Sequence, residues 1–199
     1  MTPDNRIRCS WPLGDPLYLA YHDQEWGVPV LDDQKLFEML ILEGSQAGLS
    51  WITILKRRAG YRQVYQQFNA DQMARWTDDK IEEMLRDQRI IRNRLKVMAA
   101  RQNAQSFVKL QEAKGSFQEF IWSFVNHSPV INEWVEFSQT PTTTKESDAM
   151  SRELKNWGFK FVGSTICYAY MQAVGMVNDH LVSCYRHQEV QRDIQMVSM

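Results

Sequence analysis

The chain has 199 residues, a formal net charge of −1, and 44% hydrophobic and 12% aromatic residues. These values fit one large domain or two small lobes with a core, and they exclude a disordered chain or a uniformly basic one; nucleic-acid binding would need a local patch. No stretch reaches the roughly 20 apolar residues that span a bilayer, the N-terminus lacks the apolar core of a secretory signal, and three cysteines cannot form a disulfide framework, so a cytoplasmic protein with no membrane partner is expected.

Trp11, Tyr18, Tyr21 and Trp26 crowd the first 26 residues beside polar, metal-capable side chains, a pattern that packing alone does not require. Asp32 or Asp33 suits the N-cap of a helix on which Leu36, Leu40, Glu43 and Ala47 recur at helical spacing. Gly48 breaks this helix, Ser50 can cap the next, WITILKRR, and Gly60 is expected to end it. Thr77 can cap a helix carrying Ile81, Met84 and Leu85. The turn Asp87–Asn93 then leads into a longer helix marked by Val97, Ala100, Ala104, Phe107 and Val108, stopping near Gly115. Ser116 and Glu119 form a capping-box pattern before FIWSFV. A loop at Pro141–Thr144 precedes a helix ending at Gly158, and Ser164 can start the last long helix, which runs to Gly175. No strand alternation and no internal repeat stands out. The expected class is all-α.

Three features carry chemistry. Between Arg86 and Arg101 the only acid is Asp87, while Arg89, Arg92, Arg94 and Lys96 lie close together. A tight helical hairpin there would aim backbone N–H groups and a helix N-terminus at a phosphate; a solvated basic face is the other reading. Cys9 and His22 form one pair, and His180 and Cys184, spaced as on one helical turn, form another. Two thiolates and two imidazoles complete tetrahedral zinc coordination and leave no open position, although each pair alone also fits buried core residues. Cys167 sits mid-helix in apolar surroundings and reads as core. Glu43 lies on an otherwise apolar stripe, where a carboxylate needs an ion pair or a function. The turn Gly48–Leu49 beside it offers an apolar tip that could unstack bases, or simply join two helices.

Longer strings bear a resemblance. Cys9-Ser-Trp11, DPLYLAYHDQEWGVP (Asp15 to Pro29), LFEMLILEGSQAGLSWITILKRR (Leu36 to Arg58), FIWSFVNH (Phe120 to His127) and GFKFVGSTICYAYMQAVGMVNDH (Gly158 to His180) resemble the bacterial 3-methyladenine DNA glycosylase I family over nearly the whole chain. The resemblance implies a helix–hairpin–helix repair fold with termini clasped by one structural Zn²⁺ on Cys9, His22, His180 and Cys184. It puts the base-reading carboxylate at Glu43 and an aromatic base pocket at Trp11, Tyr18, Tyr21, Trp26 and Trp51. The DNA-facing hairpin falls on Gln88 to Asn93, and with the residue readings above DNA contacts are expected at Gly48, Leu49, Arg92 and Arg94. One domain over 1–199 is expected, with about 30–112 as the hairpin lobe and about 1–29 plus 113–199 as the clasped lobe. The implied partner is alkylated double-stranded DNA, bound by a monomer with no obligate protein partner.

Two positions depart from the family pattern. Arg89 stands where a hairpin glycine is common, which bears on the turn, and Ser45 replaces a glutamine beside the pocket helix, which bears on pocket contacts. The implied reaction is monofunctional hydrolysis of the C1′–N9 bond of a flipped 3-methyladenine. No aspartate occurs from Gln88 through Ser147, so leaving-group reactivity and selective binding are expected to lead, without a strong general base and without a lyase step. Lys96 is the one lysine near the hairpin to check for such a step. A zinc-stapled DNA adaptor would need no carboxylate in an aromatic pocket, and a small-molecule purine binder would need no hairpin.

Overall fold

The computed structural model describes residues 5–197, and the expected all-α class is what it displays. Asp15 accepts from the N–H groups of Leu17 and Tyr18, and Pro16 follows it, so α1 (Pro16–Gln24) starts with cap and pre-set φ together. Asp32 caps α2 (Asp33–Gln46) by accepting from Lys35 N–H at 2.8 Å. Asp33 has a different task. Its carboxylate takes the N–H groups of Phe117 and Gln118, and so holds the start of α8 (Phe117–Trp122) against α2.

Residues 36–45 of α2 are buried without a break. This central helix packs against α3 (Trp51–Leu55), α7 (Arg94–Lys114), α8 and α10 (Ser164–Ala173). A buried Arg58 ties the outer turns to it: Nε bonds Glu38 at 2.7 Å and Nη1 bonds Glu25 at 2.8 Å. The short α5 (Ala70–Ala74) lies against α7. Thr77 caps α6 (Asp78–Met84) and Asn93 caps α7, with the hairpin turn between them. Thr144 and Ser147 form a reciprocal capping box on α9 (Lys145–Asn156), which packs on α10.

Several expectations are corrected. Gly60 does not end a helix; it lies inside α4 (Arg58–Val64), where an added Cβ would stand 2.7 Å from both Cβ and O of Arg89. The glycine is there so that the hairpin can press onto α4. Ser50 precedes α3 but bonds Thr53 Oγ1 instead of a backbone N–H. Ser164 does start α10, with Gly163 at the cap position and the Ser164 hydroxyl 2.8 Å from that of Ser147, but the helix stops at Ala173, before Gly175, and another helix follows it. His180 and Cys184 do not share a helical turn. They flank a tight turn, closed by Cys184 N–H on Leu181 O, between β2 (Val177–Asn178) and a further helix, α11 (Tyr185–Val197). β2 pairs in parallel with β1 (Val130–Ile131); the sequence pattern marks neither of these two short strands. Among the described residues no helix is long and apolar enough to cross a membrane.

Candidate active site and metal centre

A cavity of about 220 Å³ opens where α1, α2, α3 and α10 meet. Trp11, Tyr18, Tyr21, Trp26 and Trp51, all expected there, line it together with Glu43. The rings brace one another: Trp11 lies 4.7 Å from Tyr18 and 5.1 Å from Trp26, and Tyr21 lies 5.4 Å from Trp51, between centroids. Glu43 is 3% exposed and makes no ion pair among the described residues, so the arginine pairing is set aside. Among the described residues its Oε2 has no hydrogen-bond partner, and neither do Trp11 Nε1 and Trp51 Nε1. A buried unpaired polar atom costs roughly 1–3 kcal/mol, and three around one cavity is the signature of a ligand site. Burial pushes the Glu43 carboxyl up to about 8. Donor groups or positive charge on a ligand would bring it back toward carboxylate. A larger groove of about 550 Å³ along α7, beside Phe161, has no such unpaired buried atom.

Cys9, His22, His180 and Cys184 converge, all buried, with their ligand atoms within 4.8 Å of one another. Sulfur–nitrogen separations are 3.6 Å for Cys184–His22, 3.7 Å for Cys184–His180 and 3.8 Å for Cys9–His180. The edge of a tetrahedron with metal–sulfur near 2.3 Å and metal–nitrogen near 2.0–2.1 Å is about 3.6 Å. The donor set and its spacing therefore fit a four-coordinate metal ion. The outer nitrogens are engaged too: His22 Nδ1 meets Asp23 Oδ1 at 2.9 Å, and His180 Nε2 meets the Trp26 carbonyl at 3.0 Å. Those bonds orient both rings toward the centre. Arg8 in turn holds Asp23. The Cys9 and Cys184 sulfurs meet across the centre, and their contact pushes the Cys184 thiol down and the Cys9 thiol up, so one of the two is favoured as thiolate.

The expected DNA-facing residues lie in the turn after α2 (Gly48, Leu49) and at the entry to α7 (Arg92, Arg94). Gly48 has φ +76°, a left-handed turn that glycine adopts without strain, and it presents Leu49, 40% exposed. Lys96 Nζ bonds the carbonyls of Ser45 at 2.9 Å and Ala47 at 2.7 Å, so it caps the end of α2 and braces the Gly48 turn. Ser45 bonds back to Ile41 O and borders a small gap facing α7, away from the aromatic cavity. Its departure from the family pattern therefore leaves the cavity wall untouched. Arg89 is outside the left-handed region, so the hairpin does not need glycine there. Its guanidinium bonds Asp87 and Gln63. Arg94 is paired with Glu82, whereas Arg92 is exposed and has no ion pair among the described residues.

Sequence reasoning missed Gln46, Phe137, Ala169 and Gln172 in the cavity lining, and Asp23 behind His22. Gln46 could have been found from its spacing to Glu43 on the same helix face. No local signal marks Phe137 or Gln172.

The sequence model of the methyladenine glycosylase family matches residues 11–187. DNA-3-methyladenine glycosylase 1 of Escherichia coli (strain K12) is 51% identical over 177 residues, which is 89% of this chain and 95% of the relative. A crystal structure of 3-methyladenine DNA glycosylase I superposes with a TM-score of 0.89 at 49% identity, covering 90% of this chain and 98% of that one. A variant of a 3-methyladenine DNA glycosylase I solved in complex with 3-methyladenine superposes with a TM-score of 0.87 at 35% identity, covering 89% and 96%. With a family match over most of its length and 51% identity to a named relative over 177 residues, the chain belongs to the methyladenine glycosylase family.

Proposed function

We propose that this enzyme excises 3-methyladenine from alkylated double-stranded DNA, that Glu43 reads the base, and that the Cys/His cluster holds one structural zinc ion. The observation that carries the base-binding reading is that three residues lining one aromatic cavity, Glu43, Trp11 and Trp51, each keep a buried polar atom with no partner among the described residues. A duplex base cannot reach such a cavity without flipping out of the stack. Leu49, projecting from the Gly48 turn, is suited to take its place among the bases, and Arg92 and Arg94 are suited to phosphates. If residues about 30–112 form the hairpin lobe and 1–29 with 113–199 the clasped lobe, the cavity draws Glu43, Gln46 and Trp51 from one and Trp11, Tyr18, Tyr21, Trp26 and Gln172 from the other. Every group named comes from one copy of the chain, consistent with a monomer.

Methylation at N3 makes the base cationic within DNA and a good leaving group. Aromatic faces attract that cation by roughly 0.5–2 kcal/mol per contact. As the C1′–N9 bond breaks, its electron pair goes to the base and cancels the charge, while water adds at C1′ and releases a proton. Among the described residues Glu43 is the only carboxylate in the cavity lining. It accepts from the base edge, and no role in deprotonating water is assigned to it. Lys96, committed to two carbonyls of α2, is not poised as a nucleophile. The homologue solved with 3-methyladenine supports the choice of base.

The test is release of free 3-methyladenine from alkylated duplex DNA by the parent and Glu43→Gln. The parent should release it. The variant, with a charged hydrogen bond lost in a dry site, should bind the product about 10- to 150-fold more weakly with unchanged helicity and metal content. A variant that excises and binds like the parent would remove Glu43 from the site.

A further inference from the structure

Phe137 is a wall of the same cavity that the family pattern of the sequence did not suggest. It lies on a one-turn 3-10 segment, Phe137–Gln139, and is 46% exposed although it borders the space in which Glu43 sits. A half-exposed phenyl ring gains little from folding. The backbone that presents it is nonetheless held firmly. Asn132 N–H bonds Asn178 O at the end of the β1–β2 ladder, and Val182 N–H bonds Trp134 O at 2.9 Å. Gln139 Oε1 accepts from the N–H groups of both Val135 and Glu136.

The arm is also tied to the cavity wall through one fully buried carboxylate. Asp179 Oδ1 accepts from Asn132 Nδ2 at 2.7 Å and from Trp134 Nε1 at 2.8 Å. Its Oδ2 accepts from Tyr168 Oη at 2.6 Å and from Gln172 Nε2 at 2.7 Å. Gln172 lines the cavity and Asn132 and Trp134 carry the arm, so one acid links the arm that bears Phe137 to the cavity lining. An exposed aromatic on a rigid mount beside unpaired polar atoms is preorganised for a planar partner.

We propose that Phe137 stacks on the flipped base at the mouth of the cavity and so contributes to base capture. The proposal rests on the reading of the cavity as the base site. Bound base would bury the ring that is now half in solvent, and its face would meet a π-system or a cationic heterocycle.

Calorimetric titration with free 3-methyladenine tests it on the parent, Phe137→Ala, Phe137→Tyr and Glu43→Gln. Loss of one base–aromatic stack should weaken the alanine variant by roughly 5- to 150-fold, and tyrosine, which keeps the ring, should restore binding. Thermal midpoint and metal content should match the parent in both Phe137 variants. If Phe137→Ala binds like the parent while Glu43→Gln is impaired, Phe137 has no part in capture and the cavity reading stands. If both bind like the parent, the cavity reading itself fails. A lowered midpoint with unchanged affinity in the folded protein would make Phe137 a packing residue and would also overturn the proposal.

Discussion

Two buried polar clusters lie back to back, and they treat their polar atoms in opposite ways. At Cys9, His22, His180 and Cys184 the four ligand atoms face one centre, and both imidazoles have their outer nitrogens bonded, to Asp23 and to the Trp26 carbonyl. Across the shared rings of Trp11, 5.2 Å from His22, and Trp26, 4.6 Å from His180, the cavity leaves Glu43, Trp11 and Trp51 each with an unpaired polar atom. Convergence on a single point with every outer atom satisfied describes a centre that holds the fold. Divergent, unpaired atoms around a gap describe one that waits for a ligand. The two share an aromatic wall, so the Cys/His cluster backs the cavity directly.

The largest effect is expected on the satisfied side. Cys184→Ser should lose the metal ion and cost on the order of 4 kcal/mol or more, the range for losing a structural metal, or roughly 8–16 °C in thermal midpoint for a chain of this size. Elemental analysis and a melting curve check it; a zinc-free parent, or a variant melting like it, would break the contrast between the clusters.

A smaller effect follows on the unsatisfied side. The folded Glu43 carboxyl sits at about 8 against 4.5 unperturbed. Between these values the unfolded chain releases this proton while the folded chain keeps it, so stability falls as pH rises through that window and levels off above it. Glu43→Gln removes this contribution. Its thermal midpoint should therefore gain on the parent's between pH 5 and pH 9, other groups cancelling in the difference. A pH-independent difference would mean that the carboxyl is paired.

The smallest effect separates the cations of the hairpin. Arg94 is already neutralised by Glu82, and Arg92 is exposed without an ion pair among the described residues. Arg92→Ala should weaken duplex binding more than Arg94→Ala and lower the salt slope by about 1. Equal, negligible changes in both would leave the hairpin a solvated face.

Interactions that close within one helical turn are legible in the amino-acid sequence alone. Asp32 on Lys35 and Thr77 on Lys80 need only spacing and side-chain chemistry, and so most helix starts and the all-α class can be read from the chain, although Ser50 turns its hydroxyl to Thr53 instead. The four metal-capable residues and Glu43 are legible as types, because a carboxylate on an apolar stripe and paired Cys/His sets are costly without a purpose. What the sequence by itself does not decide is which distant atom meets which. Whether Glu43 meets an arginine, whether Lys96 is reactive or spent on the end of α2 at a separation of 51 residues, and whether His180 finds the Trp26 carbonyl 154 residues away all depend on packing. Gly60 shows the same limit: locally it reads as a helix end, and only the approach of Arg89 explains it. Local spacing determines what a side chain can offer; the tertiary structure, by bringing remote backbone and side-chain atoms within bonding distance, decides which offers are taken up and which are left open for a ligand.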